Sequence, residues 1–138
     1  MQEYLGKLAL ARDQSDADDK TFRIGLISAV DPRLMRAEIA FGDLSVSIIS
    51  ATDVLVLKDK NRLYQDLLTS ASIMETADFK TVFRVSLILE KPGQAAVLEA
   101  MEMLKDNPGA ASLAMVRLDT GLSVSLGRQE GAERGSRR

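Results

Sequence analysis

Two stretches of this chain read almost alike, and an internal repeat restricts a fold more than any residue propensity does. Phe22-Arg23-Ile24-Gly25-Leu26-Ile27 lines up with Phe83-Arg84-Val85-Ser86-Leu87-Ile88, and Leu44-Ser45-Val46-Ser47-Ile48 with Leu122-Ser123-Val124-Ser125-Leu126. Lys20-Thr21 matches Lys80-Thr81, while Tyr4 and Leu8 precede the first stretch as Tyr64 and Leu68 precede the second. The spacing between matched stretches grows along the chain. Gln94 to Asp106 supplies the excess, being long enough for a helix where the first copy has the short turn Asp31-Pro32-Arg33-Leu34-Met35. The pattern predicts helix, strand and hairpin used twice, with repeat 1 at about 2–50 and repeat 2 at about 61–127.

The turn residues predict a register for each hairpin. Gly42-Asp43 suits a two-residue turn, which sets Phe41 opposite Leu44, Ile39 opposite Val46 and Ala37 opposite Ile48. Asp119-Thr120-Gly121 suits a three-residue loop with the glycine left-handed, setting Leu118 opposite Leu122, Val116 opposite Val124 and Ala114 opposite Leu126. Both registers give an apolar face. The strands Thr21 to Val30 and Lys80 to Glu90 alternate too, with Phe22, Ile24, Leu26 and Phe83, Val85, Leu87, Leu89 toward the core.

Helices are expected at Gln2 to Ala11, at Asn61 to Thr76 and after Pro92-Gly93. The last carries Val97, Leu98, Met101 and Leu104 on one stripe and stops at Asn107-Pro108-Gly109. Thr52 to Leu57 reads as a strand that the start of the following helix rivals, and Asp13 to Asp19 as a solvated acidic loop. These elements make an α+β two-layer sandwich, a mainly antiparallel sheet with helices on one face, built by internal duplication. One domain over residues 1–127 is expected, followed by a disordered basic tail, 128–138, holding four arginines and no large apolar group.

Composition narrows the function. The 138 residues include no cysteine and no histidine, which removes disulfides, thiol nucleophiles, imidazole bases and the usual zinc and iron ligand sets. Glu99, Glu102 and Asp106 share one side of a helix and are read as a water-facing stripe, and no phosphate loop is present. The expectation is therefore a non-catalytic chain that needs no metal and no cofactor. With a net charge of −2, global attraction to nucleic acid or membranes is not expected. No apolar run reaches the ~18 residues of a membrane span, and the N-terminal residues do not read as a signal peptide, so a cytoplasmic location is expected.

The sheet face away from the helices is the remaining candidate site. It should carry Arg23, Arg36, Arg84 and Arg117 with Ser86 and Met115, and Arg23 and Arg84 hold equivalent places in the two copies. Guanidinium groups beside serines suit a carboxylate, a phosphate or an extended backbone. Ile27, Ile49, Ile88, Leu113 and Met115 on the same face favour a protein partner or self-association, so a homodimer is expected. The leading functional reading is a protein-binding, adaptor or chaperone-like module using this face or a helix groove. A small-molecule or anion sensor is the first alternative. A nucleic-acid accessory is the second, weakened by the scarcity of aromatics to stack bases.

The size, acidity and helix-then-three-strands opening are similar to the small acidic chaperones of bacterial secretion systems. Pro92-Gly93 before a covering helix resembles the corresponding entry in ACT-type regulatory domains. No motif residue carries either likeness to an assignment.

Overall fold

A computed structural model of the chain describes residues 4–12 and 22–123. The expected loop Asp13 to Asp19, the strand residues Val124 to Leu126 and the expected tail lie outside the described residues. In order, the elements are β1 (Leu8–Ala11), β2 (Arg23–Asp31), β3 (Arg36–Phe41), β4 (Val46–Ser50), a 3-10 turn (Ala51–Asp53), β5 (Val54–Leu57), α1 (Lys60–Ser70), α2 (Thr76–Ile88), α3 (Gln94–Lys105), α4 (Pro108–Ala114) and β6 (Met115–Arg117). Residues 118–123 are helical. The strands form one antiparallel sheet in the order β4-β3-β2-β1-β5-β6. The chain is thus α+β, with an open antiparallel sheet, as the element types predicted. Among the described residues no helix is long and apolar enough to cross a membrane.

Both faces of the sheet are covered near its middle. On one, Leu8, Leu10, Ile24, Leu55 and Met115 meet Leu63 and Leu67 of α1, Val82 and Val85 of α2, Met101 and Leu104 of α3 and the alanines of α4. On the other, Ala9, Ala11, Ile27, Ile39, Phe41, Ile49, Val54 and Val56 close around Ala51, Leu118 and Leu122. Each large aliphatic side chain buried this way stabilises the fold by about 1.5–3 kcal/mol relative to exposure. β1 lies between β2 and β5 and is buried on both sides, which explains its uninterrupted Leu-Ala-Leu-Ala.

The second cluster requires a curled sheet. β4 and β5 are four strand spacings apart in the ladder, about 19 Å if the sheet were flat, yet the three residues Ala51–Asp53 connect them. A 3-10 turn of that length rises about 6 Å. The sheet therefore bends around the second cluster, bringing Ile49 of β4 and Val54 of β5 into one core. The buried Ala51 N–H donates to Met35 O at 2.8 Å and fastens the link. Two local features permit the bend: a bulge in β2 between Ile27 and Ala29, and Gly25, where a Cβ would collide with Ile39 Cγ2.

Several expectations are overturned. Within the expected helix Gln2 to Ala11, Leu8–Ala11 is a strand instead, because its apolar residues serve the centre of the sheet. Lys80 to Glu90 is not a strand: Thr76–Ile88 is the helix α2, burying Val82, Val85, Ser86 and Ile88. Thirteen residues without a turn signal suit a helix better than a strand, and their dense apolar content satisfies either period. Among the described residues the second hairpin does not form, since Met115–Arg117 leads directly into helical residues 118–123, which take up its expected loop. The stretches that match in sequence, Phe22 to Ile27 and Phe83 to Ile88, thus fold as a strand and a helix, and the described residues do not confirm the duplication. Among the described residues, the helix-first opening on which the likeness to secretion chaperones rested is likewise missing. The helix after Pro92-Gly93 and the strand at Val54–Leu57 fall where expected, and the expected helix Asn61 to Thr76 is α1, ending at Ser70.

Candidate protein-binding surface

The first hairpin has the expected strands and a different register. Phe41 N–H donates to Ser45 O at 2.8 Å and Leu44 N–H donates to Phe41 O at 3.0 Å, so the loop is Gly42-Asp43-Leu44. Ala40 faces Val46, Ile39 faces Ser47, Glu38 faces Ile48 and Ala37 faces Ile49. A slip of one residue sends every side chain of a strand to the other face. Ile49 is buried, while Val46 and Ile48, expected in the core, are 55% and 70% exposed. Leu44 takes the left-handed third position of the loop, with φ 68°, and is 93% exposed.

Asp43 sets this register. Its carboxylate accepts from Ser45 Oγ at 2.5 Å and from Ser45 N–H at 3.0 Å, an Asx-type turn that commits the backbone to three loop residues. Arg23 adds an ion pair to Asp43 at 3.1 Å and stacks its guanidinium over Phe41, 4.1 Å from the ring centroid. Hydrogen bonds from Ser45, then the charge of Arg23, hold the Asp43 pKa below its ordinary value of 3.8. A depressed carboxylate stabilises the hairpin above the unfolded pKa, and that contribution fades as pH falls through the folded pKa. The Ser45 amide resonance should accordingly titrate with a midpoint below pH 3.8. A midpoint at or above that value would mean that the clamp does not form in solution.

The residues predicted from sequence are dispersed. Arg23 alternates with Gly25 and Ile27, on the side of the second cluster, and is occupied by Asp43 and Phe41. Arg36 is exposed on the outer side of β3. Arg84 is exposed on α2, so it shares no sheet face with Arg23. Ser86 is buried on α2, where its Oγ donates to Phe83 O at 2.6 Å. Met115 is buried in the helix-side core. Arg117 lies on β6, at the opposite edge from β4, with its Nε 3.1 Å from Asp119. The structure gathers no two of the four arginines at a common site.

It gathers apolar groups instead. On the outer side of the sheet, Leu26, Ala40 and Val46 form one row and Ala29, Glu38 and Ile48 the next. Helix packing falls on β1, β2 and β6, so the rows run out from under the helices to the β4 edge. Leu26 is 37% exposed. A shallow cleft of about 210 Å³ between Ala29, Arg36, Glu38 and Ile48 adds relief. Sequence reasoning missed this surface by placing Val46 and Ile48 inside. The available signal was Asp43 with Ser45 two residues on, which favours an Asx turn over a two-residue hairpin.

One other surface has less to offer a polypeptide. A cleft of about 360 Å³ is lined by Lys7, Lys58 and Lys60 over Leu8, Leu57 and Val97, but Lys58 is committed to Asp66 at 2.7 Å. That bond pulls the Asp66 pKa below its ordinary value. Among the described residues no three acidic side chains converge as a metal site would require.

Comparison with protein-family models, curated proteins and solved structures found no match to this chain.

Proposed function

We propose that the chain is a protein-binding module that takes up an extended polypeptide segment along β4. The observation that carries this reading is that, among the described residues, β4 ends the sheet: its five residues, Val46–Ser50, hold no charge, proline or bulge, and Val46 and Ile48 among them are exposed. Sheets usually protect such edges with lysine, proline or bulges, because bare peptide groups recruit further strands. Strand addition draws affinity from main-chain hydrogen bonds and specificity from alternate side chains. Here the alternate side chains would meet Val46 and Ile48.

Selection of a displayed library of random seven-residue peptides tests the reading. Enriched peptides should alternate apolar residues and slow amide exchange at Val46 and Ile48. Ile48→Lys, placed where the wild-type side chain is largely in water, should abolish their binding and leave the circular dichroism unchanged. Binders that instead protect α2 around Phe83 and Leu87, or a selection that yields none, would reject β4 as the docking edge.

A further inference from the structure

The cleft lined by Lys7, Lys58 and Lys60 has the size of a small-molecule site: its volume of about 360 Å³ falls within the ~300–1,000 Å³ of ligand pockets. We propose that it binds a small amphipathic carboxylate, the carboxylate among the lysines and an aliphatic body against the apolar floor. The cleft shares no lining residue with β4, so its occupancy and that of β4 are separate measurements.

The floor is a product of the fold. Leu8 and Leu57 come from the paired strands β1 and β5, Leu89 closes α2 and Val97 lies on α3. All four pack against the helix-side core, yet each is only partly buried. Covering them with hydrocarbon favours binding without choosing the ligand's charge. The lysines make that choice.

Lys58 is the central group. Its side chain is 9% exposed, and its Nζ donates to Asp66 Oδ2 at 2.7 Å. An ammonium carries three donors, and among the described residues Asp66 is the one acceptor that Lys58 has. Asp66 is itself shared, lying 3.7 Å from Arg62. Lys60 is exposed and makes no ion pair among the described residues, and Lys7 has only the Tyr4 ring at 5.9 Å, a contact that leaves its charge in place. Asp59, a carboxylate of the lining, is spent on capping α1 through Arg62 N–H. With Asp66 counted, three ammonium groups face two carboxylates, and the excess suits a monoanion. A phosphate dianion would exceed it and leave the leucines uncovered.

Octanoate is the probe, followed by titration calorimetry and amide chemical shifts. A dissociation constant of ~0.1–1 mM is expected for a ligand of this size, with shifts at Lys7, Leu57, Lys58 and Gln94. Octanol keeps the body without the charge and acetate the charge without the body, so each should bind at least about tenfold more weakly. Inorganic phosphate should not compete. Lys58→Met removes the buried ammonium and should weaken octanoate about tenfold while sparing octanol. Because that change also strands Asp66, Lys60→Glu gives a second variant: the residue is exposed in the first turn of α1, where a carboxylate suits the helix dipole, so the fold should hold. It should weaken octanoate about fivefold and leave octanol unchanged.

Equal binding of octanol and octanoate would reduce the cleft to an apolar crevice and overturn the proposal. So would tighter binding of phosphate, shifts confined to the surroundings of Phe22, Leu104 and Met115, octanoate affinity unchanged by Lys60→Glu, or no saturable response to octanoate at several millimolar.

Discussion

Gly25→Val is expected to destabilise the fold by about 3 kcal/mol, read as a fall in Tm of roughly 10 °C. Intrinsic preference points the other way, because glycine weakens a strand interior and valine is among the best strand residues. Gly25 is directly opposite Phe41 in β2, on the face that holds the second cluster. A Cβ there would strike Ile39 Cγ2 and approach the Phe41 ring to 3.1 Å. Both neighbours are themselves confined: Ile39 is fully buried, and Phe41 is held under the Arg23 guanidinium. Two branching methyls therefore have no room unless the bend of the sheet relaxes. Relaxation would in turn stretch the three-residue link from β4 to β5, so overpacking and link strain add. A stability gain, in line with propensity alone, would show that the sheet is flatter than the Ala51–Asp53 connection requires.

The same position shows where sequence reasoning stops. Alternation along Thr21 to Val30 correctly identified a strand and placed Phe22 and Ile24 toward the helices, where they pack, but it also took Leu26, which is 37% exposed, for core and read the opposite face as open. Alternation distinguishes a wet face from a dry one, and in this sheet both faces are dry near the middle. Ile27 and Ile49 on the supposedly open face were the visible symptom; both are buried. Helices with clear punctuation were legible: Asp59 caps α1 through Arg62 N–H at 3.0 Å, and α3 runs from Gly93 to the residues before Pro108. Phe83 to Ile88 failed for a different reason. Its six residues suit a strand until the unbroken length from Thr76 is weighed, and the resemblance to Phe22 to Ile27 drew attention away from that length.

The candidate site was legible in kind and illegible in place. An exposed apolar sheet face was expected, and one exists, composed of other residues. The arginines chosen from sequence are dispersed, and two of them serve as staples: Arg23 pins the hairpin through Asp43, and Arg117 pairs with Asp119. Guanidinium groups near carboxylates are mostly engaged in this way at surfaces, at little net gain in stability. One carboxylate decides the rest. By accepting two hydrogen bonds from Ser45, Asp43 makes the loop three residues long, and that single added residue exchanges Ile49 for Val46 and Ile48 on the outer face.

Leu44→Gly is expected to raise stability and weaken peptide association at once, which makes it the sharpest separation of fold from function in this chain. Leucine in the left-handed region costs about 1–2 kcal/mol relative to its ordinary conformations, and glycine bears almost none of that cost. Leu44 recovers nothing by burial in the single chain, being 93% exposed. Glycine also gives the unfolded chain more freedom, which offsets part of the gain. The net expectation is about 0.5–1 kcal/mol of added stability, a rise in Tm of roughly 2–5 °C in dilute protein. Peptide association should fall about tenfold, since the side chain at the tip of the hairpin extends the apolar row that Val46 and Ile48 begin. A residue that is strained and wet in isolation is retained at a cost, and strain of this kind concentrates where function requires a particular side chain in a particular place. If Leu44→Gly lowers stability instead, Leu44 packs against something within its own chain, and the tip of the hairpin is not part of an interface.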